Sequence, residues 1–217
     1  MSERKAQDDE HKPKSVELRD ARALRALAHP TRLKLVSLLR LEGPLTATQA
    51  ARLLGETPQR CTFHISQLAK YGLVEEAGGG RGRERPWRAT TSFTSWPNVA
   101  AGPEASAAAE LLEAVVAEHH LESVMAWIEH KADEPAEWLE AAQFNDVALY
   151  LTADELAELG RRIWELVEPF TGRIEHAELR PGDSRLVTFL NLAIPSRLPA
   201  GGQDRTTGDS PDESVRG

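Results

Sequence analysis

Thr57-Pro-Gln-Arg-Cys-Thr-Phe-His-Ile-Ser-Gln-Leu-Ala-Lys-Tyr71, followed by Gly72, is the stretch on which the fold turns. Threonine caps a helix by accepting a bond from its first turn. Proline fits the first helical position, where a backbone N–H would have no partner. Cys61, Ile65 and Leu68 then recur at i, i+4 and i+7, which places them on one inward stripe. Arg60, Thr62, Phe63, Ser66, Gln67 and Lys70 fall elsewhere on the surface. Gly72 ends the helix. The spacing predicts a helix over 58–71 with a buried side and a polar, cationic side.

Working outward, a short helix over 48–54 precedes this one, capped by Thr46 or Thr48 and stopped by Gly55. Further upstream, apolar residues at helical spacing predict helices over 17–28 and 30–41, separated by His29-Pro30. Downstream, 73–77 reads as a strand, Gly78 to Gly82 as a flexible tip, and 85–90 as a return strand. Two helices across a tight turn, followed by a glycine-tipped hairpin, make a winged helix-turn-helix arrangement. One α-helix fits the major groove of duplex DNA, and arginines on a hairpin tip suit the negative potential of the minor groove.

The strings Leu27-Ala-His-Pro-Thr-Arg-Leu33, Leu45-Thr to Leu54-Gly55, Thr57 to Leu68 and Gly72-Leu-Val74 resemble the ArsR/SmtB-type winged helix-turn-helix repressors. The resemblance spans about residues 18–92. It implies a homodimeric regulator of transcription that binds double-stranded DNA, with repression as its default action. The family's recognition helix falls on 58–71. Gln59, Arg60, Thr62 and Phe63 are the base-facing candidates, with Thr57 and Gln67 on the same surface. His64 and Lys70 are phosphate or packing residues. Arg60 is favoured, because arginine bonds bidentately to guanine, worth about 1–3 kcal/mol of discrimination. Phe63 stands where the family often has a small polar residue or histidine, and could touch a thymine methyl. Arg81, Arg83 and Arg85 carry the wing's positive charge. Each phosphate they neutralise steepens the salt dependence by about 0.9. Trp87 reads as packing at the base of the wing.

Charge supports this division. Residues 15–90 hold 13 Lys/Arg against 7 Asp/Glu, a net +6, whereas 91–217 hold 9 against 23, a net −14. The basic part can face a polyanion while the acidic part stays clear. The chain of 217 residues has one cysteine, Cys61, so an intrachain disulfide is excluded and a reducing cytoplasm is expected. No apolar run reaches the roughly 18 residues of a membrane span, and the charged start does not read as a secretory signal.

Residues 1–14 and 200–217 read as polar tails. Residues 15–92 form the DNA-binding domain, and 93–135 a linker and dimerisation helix; the helix at 104–131, with the helix at 17–28, is expected to supply the dimer interface. Residues 136–199 form a C-terminal module of helix 136–142, strand 144–151, helix 152–169 and strand 185–194. The fold class is thus mainly α with a small β component. The additional module resembles that of longer regulators, and suits an extended dimer interface or a small-molecule effector. Trp127, Trp138, Trp164 and Phe170 are core or pocket-lining material.

Family members that sense metal use cysteines on the helix before the recognition helix, or Asp-x-His-x10-His-x2-Glu/His after the wing. The first set is absent here. The second is met at His119, His130 and Asp133, with Ala117 at the first place and His120 as a further donor. A zinc-sensing repressor is therefore an alternative reading, with no metal or cofactor as the main one. His130 also suits a helix C-terminus by charge alone. Cys61 on the inward stripe is either a small hydrophobe or a redox switch. A protein-interaction module without DNA binding is the alternative from another class. No phosphate loop, nucleophile elbow or His/Cys cluster argues for an enzyme.

Overall fold

The computed structural model describes residues 15–80, 85–97 and 101–196, apart from the side chains of Ser15 and Glu175. The tails at 1–14 and 200–217, and Arg81 and Arg83, lie outside the described residues. The chain divides into two units, one ending at Leu186 and one beginning at Val187.

The first unit opens with a short strand, β1 (Ser15–Glu17), then α1 (Ala21–Leu27), α2 (Pro30–Leu41), α3 (Ala47–Leu54) and α4 (Pro58–Lys70). Each start has a local cause. Asp20 accepts from the N–H groups of Arg22 and Ala23. The His29 ring accepts from Thr31 N–H. Thr46 and Gln49 form a reciprocal capping box, and Thr57 accepts from Arg60 N–H. Gly55 closes α3 at φ +66°, a left-handed conformation that glycine adopts without strain.

The hairpin comes next. β2 (Val74–Glu76) pairs antiparallel with β3 (Trp87–Ala89), Val74 opposite Ala89 and Glu76 opposite Trp87. Leu45 exchanges both backbone bonds with Trp87, at 2.9 and 2.8 Å, which ties the wing to the segment ahead of α3. β4 (Phe93–Ser95), not expected from the sequence, runs parallel to β1 with Ser15 opposite Phe93. α5 (Pro103–His130) then lays its first turns on α1, with Arg25 paired to Glu104 at 2.8 Å. The core joins Leu24, Leu27, Leu35, Val36, Leu39, Ile65, Leu68, Val74 and Leu112. This unit is mainly helical with two small sheets, and its first half is a winged helix-turn-helix.

After α5 come a 3-10 turn (Lys131–Asp133), α6 (Ala136–Ala141), α7 (Ala153–Glu175) and a second 3-10 turn (Ala177–Leu179). The Thr152/Glu155 capping box starts α7 as expected, but the helix continues past Pro169 to Glu175. Proline removes one helical N–H, and the helix continues through that loss. The two C-terminal strands are a correction: neither 144–151 nor 185–194 forms a strand. A strand needs a neighbour for its N–H and C=O groups, and Phe144, Val147 and Tyr150 are exposed. In the second unit, 187–196 runs without helix or strand.

Candidate nucleic-acid interface

α4 divides as its spacing requires. Cys61, Ile65 and Leu68 are buried against α1, α2 and α3, and His64 joins them at 6% exposure. Gln59, Arg60, Thr62, Phe63, Ser66 and Lys70 lie exposed, with Thr57 at the capped end and Gln67 half-buried. Thr62 and Ser66 hydroxyls donate to the carbonyls of Pro58 and Thr62, both at 2.8 Å, so these side chains lie close to the helix. Phe63, 55% exposed, is an aromatic ring on an otherwise polar face.

Of the two roles open to His64, the structure selects packing. Its ring lies 4.6 Å from that of His29, and Arg32 Nε donates to its Nδ1 at 3.4 Å. Arg32 also donates to the Ala26 carbonyl at 2.8 Å, so it ties the α1–α2 corner to α4. Burial holds both histidines below their ordinary value. The cations Arg32 and Arg60 push the same way, and Glu56 opposes them. Imidazoles kept neutral in this way can stack and accept bonds. The Ala28-His-Pro-Thr-Arg32 string thus supports α4 from its buried side.

Arg60, the favoured base reader, is paired with Glu56 at 2.8 Å. In the wing, Arg85 pairs with Glu76 at 2.6 Å and Arg88 with Glu75 at 2.7 Å. Glu56, Arg32 and Arg88 were not singled out in the sequence. Arg88 could have been, since the alternation of Trp87-Arg-Ala89 turns it outward. Arg40 anchors the segment between the wing and α5. Burial lowers its pKa to about 10, and it donates to Thr91 O at 2.9 Å and to Thr94 Oγ1. Trp87 is half-buried against the core, as a packing residue should be.

Cys61 is fully buried, and desolvation raises its thiol pKa, which is the condition of an inert packing residue. The proposed zinc donors do not converge within the chain. His119 and His130 lie on one helix, eleven residues apart in sequence and so about 16 Å along its axis. His130 Nδ1 instead meets the Ala126 carbonyl at 2.9 Å, and among the described residues no group of three His, Cys, Asp or Glu could hold a metal ion. His119 faces a small recess lined by Pro30, Lys34, Val115, Glu118 and Glu122. Three of the four aromatic residues singled out in the sequence each meet a separate neighbour. Trp164 meets Phe93, Trp138 lies under Arg185, and Phe170 under Arg173.

No curated protein sequence matches the chain. A solved structure similar to it is the homodimeric winged helix-turn-helix DNA-binding domain, fragment 1–100, of a possible ArsR-family transcriptional regulator from Mycobacterium bovis. The two are 25% identical over 46% of this chain and 79% of that one, with a TM-score of 0.30. Among the described residues no helix is long and apolar enough to cross a membrane. Residues 27–77 match the family model described as a helix-turn-helix domain, and the chain therefore contains such a domain where α2, α3 and α4 stand.

Proposed function

We propose that this protein is a cytoplasmic transcriptional regulator of the ArsR/SmtB type, binding duplex DNA as a homodimer and acting by repression. The observation that carries the reading is the division of α4. Cys61, His64, Ile65 and Leu68 are sealed into the core, leaving Gln59, Arg60, Thr62, Phe63 and Lys70 exposed beside a ribbon bearing Arg85 and Arg88. A recognition helix has this form, with base-reading side chains on a rigid support and cations to either side for phosphates. Two copies related by a two-fold axis would read an inverted repeat with half-sites about one helical turn, roughly 34 Å, apart. The chain binds and does not catalyse in this reading, and any effector acts through the C-terminal module.

The dimer surface is the second half of α5, where Leu121, Met125 and Ile128 are exposed at i, i+4 and i+7. α1 is a weaker candidate than its sequence implies, because Ala23, Leu24, Ala26 and Leu27 are all used within its own chain.

Binding-site selection from random duplexes, followed by titration across salt concentrations, tests the proposal. The full chain is expected to enrich an inverted repeat, with log affinity falling linearly in log salt by about 0.9 per phosphate contacted. Arg60→Ala should weaken the selected site about tenfold or more. Absence of any salt-dependent retention of duplex DNA overturns the reading and favours the interaction module.

A further inference from the structure

We infer that Glu56 is a specificity-determining positioning residue, whose carboxylate holds the Arg60 guanidinium toward a guanine edge and away from phosphate. This rests on the DNA-binding reading above and adds a named function to a residue of the turn. Glu56 lies between Gly55 and the cap Thr57, and its N–H donates to the Ala51 carbonyl at 2.9 Å. The two side chains of the pair differ. That of Glu56 is 19% exposed and that of Arg60 is 60% exposed, with Nη1 and Oε2 2.8 Å apart. The carboxylate is therefore the anchored member and the guanidinium the reaching one. An acid just ahead of a helix is also favoured there by the helix dipole.

A guanidinium offers five N–H donors in a planar fork. One nitrogen turned to Glu56 fixes the plane of the fork and leaves other donors for O6 and N7 of a guanine. An untethered arginine would sample phosphates as readily as bases, and phosphate contacts add affinity without sequence information. The carboxylate opposes that exchange, since a phosphate approaching Arg60 meets its negative charge. Arg60 and Glu56 both act on the titration of His29 and His64, in opposite directions, so the pair lies beside the support behind α4. Exposed i,i+4 pairs contribute little to folding, so the effect of Glu56 is to be read on DNA.

The test uses the full chain as wild type, E56Q, R60A and the double variant. Each is taken through selection from random duplexes and then titrated on the enriched site and on the same site with its guanine replaced. The wild type is expected to prefer guanine at one half-site position about tenfold or more. E56Q should cut that preference to about threefold or less and steepen the salt dependence by about 0.9 per subunit, as Arg60 turns to phosphate. In the R60A background E56Q should change neither quantity. Unchanged preference and salt slope in E56Q overturn the inference, as do equal effects of E56Q with and without Arg60, or a wild type that binds DNA with no guanine preference. A wild type that retains no DNA removes the DNA-binding reading as well, and is recognised before any variant is compared. Thermal unfolding of each variant separates misfolding from these outcomes. If E56Q unfolds, E56D, which keeps the charge, is expected to retain most of the wild-type preference, and its loss in a folded protein also overturns the inference.

Discussion

Residues 15–112 and residues 113–186 handle apolar surface in opposite ways. Every buried side chain among the described residues lies between Leu18 and Leu112. From 113 to 186 none of the described side chains is buried, although Leu121, Met125, Ile128, Phe144, Val147, Tyr150 and Leu166 are all large and apolar. The first region closes its own core, because four short helices and a hairpin meet around Leu24, Leu39, Ile65 and Leu68. The second has helices joined by extended chain, and among the described residues their apolar faces are at most half-buried. Folding alone stabilises the first. The second calls for a further surface, and the proposed dimer contact through α5 supplies the start of one.

Equal truncations in the two regions give the largest contrast. Leu68→Ala, in the closed core, should lower the unfolding free energy by about 2–5 kcal/mol. Leu166→Ala, at 74% exposure, should change it by less than about 0.5 kcal/mol. Urea unfolding followed by circular dichroism at low protein concentration measures both. Similar losses at the two sites would mean that the second region has a core of its own after all.

Arg40 sharpens the first half of the comparison, because it is a charged group inside the closed region. Arg40→Ala leaves the Thr91 carbonyl and the Thr94 hydroxyl without their donor, at a cost of about 1–3 kcal/mol. Since these residues come directly after the wing, DNA affinity should fall together with stability. In the open region, Met125→Lys should leave the unfolding of the first region unchanged. Sedimentation equilibrium is expected to show dimerisation weakened about tenfold, or about 1.4 kcal/mol. A dimer that tolerates the lysine would place the contact elsewhere than on α5.

The same contrast explains what could be read from the residues alone. Where capping, periodicity and stop signals agree, as for α2 and α4, the expected and observed spans differ by at most one residue. Those signals act within one turn and need no distant partner. The segments 144–151 and 185–194 read as strands on local signals, one-sided spacing of Val147, Leu149 and Leu151 in the first and bounding proline and glycine in the second; pairing depends on a neighbour that such signals do not name. β1 and β4 went unread for the converse reason, since three residues with one apolar side chain in Ser15–Glu17 make no pattern. At the interface, the outward row of α4 was legible and the charge pairing of the wing was not. Arg85 and Arg88 look like free cations in the sequence, and only the fold brings Glu76 and Glu75 to them, whereas Glu56 stands at i,i+4 from Arg60 and could have been paired by spacing alone.

The smallest expected effect concerns pH. His29 and His64 are held below their ordinary value of 6.5, first by burial and then by neighbouring cations. The unfolded chain therefore takes up protons at a higher pH than the folded one, and stability must fall as the pH drops below 6.5 toward the folded values. His119, held low by burial and by His120, contributes with the same sign. The carboxylates whose pKa is lowered, Glu122, Glu155 and Glu158, act only near and below 4.5, so the interval from 6.5 to 5 belongs to the histidines. Thermal unfolding across that interval should show a falling midpoint. His64→Gln, which keeps an acceptor for Arg32 but cannot take a proton, should flatten the fall. His119→Gln should flatten it less, because α5 at that point borders the open region, where the folded chain withdraws less surface from water. A larger effect at His119 would reverse the order of the two regions as determinants of acid stability.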